Sequence, residues 1–534
     1  MVQTEKFRLA DSTVLEPLIN QWAVWADLIS PATYSMHMLH YQIKTLTSYA
    51  ANPQLHVKAC QNPKLVGGPF VNVPEQRADE VNNLLKATEK DQSDNIQLAR
   101  ALVEFHEYLT KEAKGQSLEP FYDKLPDALR GYVELVYDYY NHPIVRLLES
   151  FLYESPYYKP QLQSLRIFEQ KRDDSRPFFL STPRLLGNDE LDLQTTFDDP
   201  AIDELFKLDF EPQPLAHIGD ALSLDADAIE RLRPLLTQQP SRPAAKYDGD
   251  DVRIRYFGHA CVLIEWNGVS VLTDPWIGVR STEGGRERFS YDDLPEKIDY
   301  ALITHCHHDH FVPETLVRLR HRIECLVVPR SYGLFYTDVS LKLAAKKIGF
   351  KNVVEMDSLD SIAVPGGEII CVPFLGEHAD LAHGKCGYLI RAGRERILFA
   401  ADSNCLDKRL YEHLRRVVGD IETVFLGMEC VGAPLSWLYG ALVPAKLQHS
   451  LDQSRRTKGS DSNAAFNLLD AVGGKRVYIY AMGNEPWLQY GMGLGLPEGS
   501  VQVKEAEKVL ALARERGFAD AQRPFCKNEI YLRK

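Results

Sequence analysis

The chain has 534 residues, of which 45% are hydrophobic and 25% charged, the proportions of a globular protein that is too long for one hydrophobic core. Its 61 basic and 74 acidic residues give a net charge of -13, which argues against nucleic acid or an anionic membrane as a partner. The nine scattered cysteines form no Cys-x-x-Cys pair, and neither a signal peptide nor a bilayer-spanning run is recognisable, so we expect a cytoplasmic protein with reduced thiols.

Residues 1–245 hold no dense cluster of metal ligands, and their pattern predicts an α+β domain. Apolar residues at helical spacing predict helices over 75–114, 126–153 and 226–233. Alternating residues predict strands over 165–169 and 178–180. The many tyrosines of the second predicted helix fit core packing, or else a subunit interface or a wall of a substrate channel.

A segment rich in Pro, Gly and Asp follows at 238–251 and predicts a linker, so we place a domain boundary between residues 245 and 246. Beyond it, strands alternate with helices, and Asn267-Gly268 predicts a hairpin turn. The predicted strands are 252–256, 261–264, 270–273, 298–303, 325–328, 368–372, 388–390, 397–400, 423–426 and 477–480. The predicted helices are 313–322, 341–348, 464–471 and 503–517. This mixture predicts two sheets between layers of helices.

Four potential metal ligands lie within six positions directly after the predicted strand 298–303. They are His305, His307, Asp309 and His310. Imidazoles and a carboxylate suit a divalent transition metal, and so many ligands at a strand exit have no packing rationale. In an extended backbone the first two histidines project to one side, where one metal can take both, and the last two ligands can turn towards a second metal. The motif therefore predicts a two-metal site.

This motif, together with Thr273-Asp274-Pro275 after a hairpin, resembles the metallo-β-lactamase superfamily over about residues 250 to 534. The resemblance implies an α/β fold, an αββα sandwich with two metals bound between its sheets. It gives Asp274 the role of a carboxylate that orients a ligand histidine, although a turn residue before Pro275 fits the sequence equally well.

The other ligands that the resemblance implies occur in altered form. Glu377 and His378, side by side after a predicted strand, compete for the place of a third histidine. Asp402 matches the bridging carboxylate. No histidine follows the last predicted strand, so Asn484 or Glu485 would have to stand in there. Because carboxylate-rich sites favour iron or manganese over zinc, we take Glu377 as the ligand.

The altered ligands, the long amino-terminal region and the total length are similar to one branch, the di-iron β-hydroxylases of nonribosomal peptide assembly of the chloramphenicol-pathway type. The resemblance implies that two irons use O2 and two external electrons to hydroxylate the β-carbon of an amino acid in antibiotic biosynthesis. The amino acid is held as a thioester on the phosphopantetheine arm of a synthetase carrier domain. Further implied partners are an external electron donor and, as one option, a second copy of the chain in a homodimer.

The same resemblance implies a role for each ligand. One iron takes His305, His307 and Glu377, the other takes Asp309 and His310, and Asp402 bridges or caps them. Glu377 and Asp402 are the residues that we assign to catalysis. The alternative function is a zinc or manganese hydrolase, a thioesterase or lactonase, in which a metal-bound hydroxide attacks a carbonyl.

Four further features are weaker candidates. His259 could approach the metals, or it could serve packing or hydrogen bonding. Glu429 could tune the metals from outside the ligand set. Cys306, between two ligands, fits a spacer. The run 486–493 could be a mobile lid, although a plain surface loop is the simpler interpretation.

Overall fold

The computed structural model describes residues 5–333, 335–376, 384–443, 447–493 and 495–533. Its strands are β1 (Lys6–Leu9), β2 (Thr13–Ile19), β3 (Trp22–Ala23), β4 (Val133–Tyr137), β5 (Pro143–Leu147), β6 (Gln163–Glu169), β7 (Leu191–Gln194), β8 (Gln213–Pro214), β9 (Leu236–Thr237), β10 (Val252–Gly258), β11 (Cys261–Trp266), β12 (Val269–Thr273), β13 (Ile298–Leu302), β14 (Ile323–Pro329), β15 (Val353–Met356), β16 (Ser361–Val364), β17 (Gly367–Val372), β18 (Gly387–Ala392), β19 (Glu395–Phe399), β20 (Thr423–Gly427), β21 (Arg476–Tyr480), β22 (Asp520–Gln522) and β23 (Asn528–Leu532).

The helices are α1 (Ala26–Ile29), α2 (Pro31–His37), α3 (Ile43–Ala51), α4 (Pro53–Cys60), α5 (Ala78–Asp91), α6 (Ser93–Glu112), α7 (Glu149–Leu152), α8 (Ala201–Lys207), α9 (Leu215–Ala221), α10 (Ala226–Leu232), α11 (Pro313–Leu319), α12 (Leu341–Lys347), α13 (Lys408–Val418), α14 (Leu435–Tyr439), α15 (His449–Ser454), α16 (Ser462–Val472), α17 (Gln489–Met492) and α18 (Val501–Glu515). A π-helical turn, Met38–Gln42, joins α2 to α3. Among the described residues, no helix has the length and apolarity needed to cross a membrane.

Two mixed sheets form the carboxyl-terminal part of the described chain. The first has the strand order β15-β14-β13-β12-β11-β10-β23, and the second has the order β16-β17-β18-β19-β20-β21-β22. Each sheet begins as antiparallel hairpins and continues as parallel strands. The expected turn at Asn267-Gly268 joins β11 to β12, and both residues have the positive φ that such a turn requires.

The sheets pack face to face around an apolar layer. Its members alternate along the strands with residues that point outward, and they include Ile254, Ile264, Ile390, Phe425 and Tyr478. A separate apolar cluster covers the outer face of the second sheet with α13, α16 and α18. The expected α/β fold, an αββα sandwich behind a large amino-terminal region of helices and strands, is confirmed.

The amino-terminal part packs on the outer side of the first sheet. Its largest sheet has the order β3-β2-β6-β7, and one continuous hydrophobic cluster includes both its residues and those of α11 and α12. Buried ions also join the two parts. The guanidinium of Arg176 donates to Glu16 in β2 at 2.7 Å and to Glu314 in α11 at 2.6 Å, and it lies 3.5 Å from the centre of the Tyr490 ring. Arg184 donates to the other oxygen of Glu16 at 2.9 Å.

The helix predicted over 126–153 is wrong, because most of this segment is a hairpin of β4 and β5. The carboxylate of Asp138 accepts the backbone N–H groups of Tyr140 and His142, both at 2.8 Å, and Asn141 has a positive φ, so the chain reverses where the helix was expected. Valine and tyrosine occur here at spacings that fit a helix by coincidence, but they are also strong strand formers. The tyrosines consequently have different environments: they are exposed at the hairpin tip and partly or fully buried elsewhere.

Two other predictions in this part need correction. The helix predicted over 75–114 is divided into α5 and α6 at Gln92, a buried residue with non-helical backbone whose side chain accepts a hydrogen bond from Tyr34. The segment 178–180 is not a strand, because the backbone N–H of Phe179 donates to the carbonyl of Tyr490 instead of joining a sheet. The predicted strand 165–169 and the predicted helix 226–233 are confirmed. Asp225 caps this helix by accepting a hydrogen bond from the backbone N–H of Ala228.

Candidate metal centre

The candidate ligands lie together at the carboxyl ends of strands from both sheets. His259 follows β10, Asp274 follows β12, the loop 305–310 follows β13, and Asp402 follows β19. These ends meet at one edge of the sandwich, the usual position of a site in α/β proteins. The neighbouring strand β20 ends in Gly427, where a Cβ atom would lie 2.9 Å from a carboxylate oxygen of Asp402. Glycine therefore makes room for the carboxylate.

Asp274 orients the histidines of the loop, as one of the two interpretations of its sequence position proposed. Its Oδ2 lies 2.9 Å from Nδ1 of His310, and the same oxygen accepts from the hydroxyl of Thr304 at 2.8 Å. That hydroxyl lies 3.0 Å from Nδ1 of His305. Because both Nδ1 atoms face oxygen acceptors, the Nε2 atom of each ring carries the lone pair that a metal needs.

The Nε2 atoms converge on two carboxylates. His310 Nε2 lies 2.9 Å from Asp402 Oδ2, and His305 Nε2 lies 3.7 Å from the same oxygen. On the other side, His259 Nε2 lies 3.1 Å from Asp309 Oδ2. The residues form two groups of three potential ligand atoms, and the atoms within each group lie within 4.8 Å of one another. One group is His259, Asp309 and His310, and the other is His305, His310 and Asp402, so His310 belongs to both. Ligand atoms each about 2.1 Å from a metal at right angles lie about 3 Å apart, so these spacings suit metal coordination.

The electrostatics of this cluster reflect a concentration of buried ionisable groups. Burial alone would lower the pKa of His310, but the carboxylates of Asp402, Asp309 and Asp274 raise it well above its ordinary value. Burial alone would raise the pKa of Asp309, but the neighbouring histidines hold it well below its ordinary value. Buried carboxylates demand compensating positive charge, which either protonated imidazoles or metal cations can supply. The donor set therefore fits two divalent cations.

His307 has a neighbour that the sequence did not indicate. Its Nε2 atom lies 2.6 Å from the hydroxyl of Tyr439, a buried residue at the end of α14. Glu377 and His378, which compete for the third position on the first metal, lie outside the described residues. The choice between them stays a prediction.

The position of His259 favours the first of its two interpretations, in which the side chain approaches the metals. His259 is buried, it has a positive φ, and its strand carries an irregularity in register just before it. Bulges of this kind frequently turn a side chain into a site, and here the ring lies against Asp309.

Asn484 and Glu485, the expected substitutes for a histidine, contact other residues. Asn484 accepts a hydrogen bond from the backbone N–H of Leu496, and Glu485 accepts one from the hydroxyl of Tyr256 at 2.5 Å.

The run 486–493 is not the surface loop that its composition suggested. Trp487 and Leu488 are buried, and the chain forms a helical turn before α17. Nε2 of His308 lies 3.2 Å from the carbonyl oxygen of Gly491, so the run packs directly against the loop that carries the candidate ligands. Cys306 is buried between two of those ligands, as a spacer would be.

Comparison with known proteins agrees with this arrangement over nearly the whole chain. A model described as the N-terminal domain of diiron non-heme beta-hydroxylases matches residues 8–240, and a beta-lactamase superfamily domain model matches residues 253–402. The 4-amino-L-phenylalanyl-[CmlP-peptidyl-carrier-protein] 3-hydroxylase of Streptomyces venezuelae is 33% identical over 519 residues, which are 96% of this chain and 97% of that protein. A UPF0173 protein of Pyrococcus abyssi is 30% identical over 152 residues, 28% of this chain and 60% of that protein.

Among solved structures, the crystal structure of CmlA, a diiron beta-hydroxylase from Streptomyces venezuelae, superposes with a TM-score of 0.92 at 32% identity. The match covers 99% of this chain and 100% of that one, so it includes the amino-terminal region as well as the sandwich. Similarity of this extent, together with a buried site of imidazoles and carboxylates, leads to one conclusion. The chain belongs to the diiron non-heme β-hydroxylase family.

Proposed function

We propose that this diiron hydroxylase acts on the β-carbon of an amino acid held as a thioester on the phosphopantetheine arm of a peptidyl carrier domain, in antibiotic biosynthesis. The observation that carries the proposal is the match of both parts of the chain to one hydroxylase whose name specifies a carrier-bound aminoacyl substrate. Family membership brings two iron ions and O2 as a co-substrate. An external donor must supply two electrons and two protons, since one oxygen atom enters the C–H bond and the other leaves as water.

We assign the iron ligands as the family pattern implies. His305, His307 and Glu377 would hold one iron, Asp309 and His310 would hold the other, and Asp402 would bridge or cap them. The contacts of His305, His310 and Asp402 support this assignment for three of the residues. The bound irons supply the activation of O2. The protein's own contribution is the orientation of the rings through Asp274 and Thr304 and the exclusion of water by burial.

The long amino-terminal region is assigned to substrate access and to contact between copies of the chain. We place its boundary at residues 245 and 246, which the irregular segment 238–251 supports. A homodimer formed through this region, the external electron donor and a cytoplasmic location are parts of the same proposal. Sedimentation of the purified protein tests the dimer directly.

Metal analysis and turnover test the proposed function against the alternative, a zinc or manganese thioesterase or lactonase. We expect two irons per chain and, with an aminoacyl carrier domain, O2 and a reductant, a product heavier by one oxygen atom at the β-carbon. Two zincs per chain, with thioester cleavage that proceeds without O2, would support the hydrolase instead.

A further inference from the structure

The hydroxyl of Tyr439 lies 2.6 Å from Nε2 of His307, and both side chains are buried. This is the distance of a short hydrogen bond. It is too short for two atoms that share one metal, because ligand atoms at right angles about a metal lie about 3 Å apart. The contact therefore joins the tyrosine to the histidine itself, directly beside the candidate metal centre.

This contact uses the opposite ring nitrogen from the contacts of two other loop histidines. In His305 and His310, Nδ1 faces an oxygen atom, of Thr304 and of Asp274 respectively. In His307 the nitrogen that faces the tyrosine oxygen is Nε2. A neutral imidazole has one protonated nitrogen, and a ring that binds a metal donates this N–H to a neighbouring acceptor. Nδ1 of His307 is then the nitrogen that would bind the metal, while the phenol oxygen accepts from Nε2.

Helix α14, which ends in Tyr439, is fixed by hydrogen bonds from two of its other residues. The backbone N–H and the hydroxyl of Ser436 donate to the carboxylate of Asp452 at 2.8 and 2.7 Å. The indole N–H of Trp437 donates at 2.8 Å to the carbonyl of Gly67, which belongs to the amino-terminal part. A group that orients a ligand must itself be held by its surroundings. The anchored helix meets this requirement for the hydroxyl.

We propose that Tyr439 is a positioning residue: by accepting the N–H of His307, its hydroxyl holds this ring with Nδ1 towards the metal. The proposal rests on the proposed function, in which His307 is a ligand, and adds to it a residue outside the ligand set. The tyrosine acts through the histidine and not on the substrate. Loss of the hydroxyl should consequently weaken the binding of one metal and leave the binding of the other unchanged.

Tyr439→Phe removes the hydroxyl alone, and the iron-loaded protein reports the effect on each metal. Mössbauer spectra resolve two irons in different ligand environments, and titration with a chelator measures the affinity for each. We expect one iron to be bound about 10- to 100-fold more weakly than in the wild type, the usual cost of removing a group that orients a ligand histidine. The quadrupole splitting of that iron should change, and the splitting of the other iron should not.

Two further variants are measured in the same way. Tyr49→Phe is the matched control, because Tyr49 is buried in the amino-terminal part and its hydroxyl donates to the carbonyl of Val73 at 2.9 Å. Its thermal midpoint should fall by a similar amount, since one buried hydrogen bond is lost in either case, but both irons should bind as in the wild type. His307→Ala removes the proposed ligand itself and should lose one iron.

A second measurement needs no variant and so does not depend on whether Tyr439→Phe folds. Zinc is diamagnetic, and long-range proton–nitrogen correlations in zinc-loaded protein with isotope-labelled histidine show which nitrogen of each ring binds the metal. His307 should bind through Nδ1, whereas His305 and His310 should bind through Nε2.

Coordination of His307 through Nε2 would overturn the inference. Wild-type affinity and splitting for both irons in Tyr439→Phe would overturn it as well, as would an equal loss of both irons, which indicates general destabilisation. In these cases the proposed function stands if His307→Ala loses one iron and the wild type hydroxylates the carrier-bound amino acid. If His307→Ala keeps both irons, the ligand assignment fails and this inference fails with it.

Discussion

At the scale of single residues, the carboxylate of Asp274 orients two histidines of the loop, His305 and His310. It contacts His310 directly and His305 through the hydroxyl of Thr304, so one side chain fixes the orientation of both rings. Its backbone adopts a positive φ, an unusual conformation for a residue with a Cβ atom, which the packed surroundings must enforce. A carboxylate so placed should matter for metal affinity more than for stability.

Asp274→Asn should therefore weaken iron binding about 10- to 100-fold while the fold persists. The amide would place an N–H group where two donors now converge, and both histidines would lose their fixed tautomer. Iron retained during titration with a chelator measures the effect. The exposed Asp220→Asn is the control and should retain iron like the wild type. Equal retention in both variants would show that Asp274 has no orienting role.

The choice between Glu377 and His378 has a direct test. If Glu377 is the ligand, Glu377→Ala should lose tight binding of at least one iron, and His378→Ala should keep both. We expect this result because a carboxylate is a better ligand than a further imidazole for an iron that binds O2. Unchanged metal content in Glu377→Ala, with loss in His378→Ala, would return the role to the histidine.

Sequence reasoning located the loop 305–310 because its four candidate ligands are neighbours in the chain. His259 and Tyr439 could not be assigned in the same way, because each is far from the loop in sequence and has no ligand beside it. Only the three-dimensional convergence of strand ends brings them against Asp309 and His307. The one local signal was Gly258 before His259, a glycine with positive φ at the irregularity in β10.

At the scale of elements, the short helix α7 carries an acid in an unfavourable environment. Burial first, and then the nearby Asp338 and Asp27, raise the pKa of Glu149 to about 7 from 4.5, although it accepts a hydrogen bond from the backbone of Ser340. The folded protein therefore binds this proton more tightly than the unfolded chain. The contribution of Glu149 to the free energy of unfolding is fully present below about pH 4.5 and is lost as the pH rises through about 7.

Glu149→Gln, which imitates the protonated acid, should match the wild type at pH 5 and exceed it in thermal midpoint at pH 8. The shift corresponds to about 3 kcal/mol at most, since each pKa unit is worth about 1.4 kcal/mol. Melting curves across this pH range measure the difference. The exposed Glu104→Gln should change little at either pH. A difference between Glu149→Gln and the wild type that does not grow with pH would contradict this account.

Elements were predictable where periodicity had one interpretation. The ten inner strands of the sandwich were found because continuous apolar runs bounded by turns identify buried strands, whereas the four edge strands β15, β16, β22 and β23 were not predicted. The hairpin of β4 and β5 was missed because the spacing of its tyrosines and valines fits a helix as well as a strand. Only the turn at Asp138 distinguishes the hairpin from a helix. The break between α5 and α6 at Gln92 was missed because the hydrogen-bond partner of Gln92, Tyr34, is remote in sequence.

At the scale of the whole molecule, ions hold the amino-terminal part against the sandwich. Arg176 bridges Glu16 and Glu314 and covers the ring of Tyr490, which belongs to the run packed on the ligand loop. No sequence pattern predicts such a pairing, because its members are 16, 176, 314 and 490 positions along the chain. The resemblance to the di-iron β-hydroxylases predicted a large amino-terminal region before the sandwich, but not the contacts that join the two parts.

Arg176→Met should destabilise the protein by about 3–5 kcal/mol, because it leaves the carboxylate of Glu314 without its guanidinium partner and leaves the buried Glu16 with Arg184 alone. Hydrogen exchange should also quicken in α17, which loses the guanidinium over Tyr490. Thermal midpoint and peptide-resolved exchange measure the two effects. Arg172→Met removes an exposed pair with Asp174 and should cost no more than about 1 kcal/mol. Unchanged exchange in α17 would separate this run from the ionic bridge.

The pairing of β10 with β23 has a consequence for biosynthesis. β10 leaves the ribosome long before β23, and until then one edge of β10 exposes unpaired N–H and C=O groups. A nascent chain in this state is a template for strand addition by other chains, so we expect chaperone contact to concentrate on this edge. Since His259 follows β10, its final placement should wait until β23 has been synthesised.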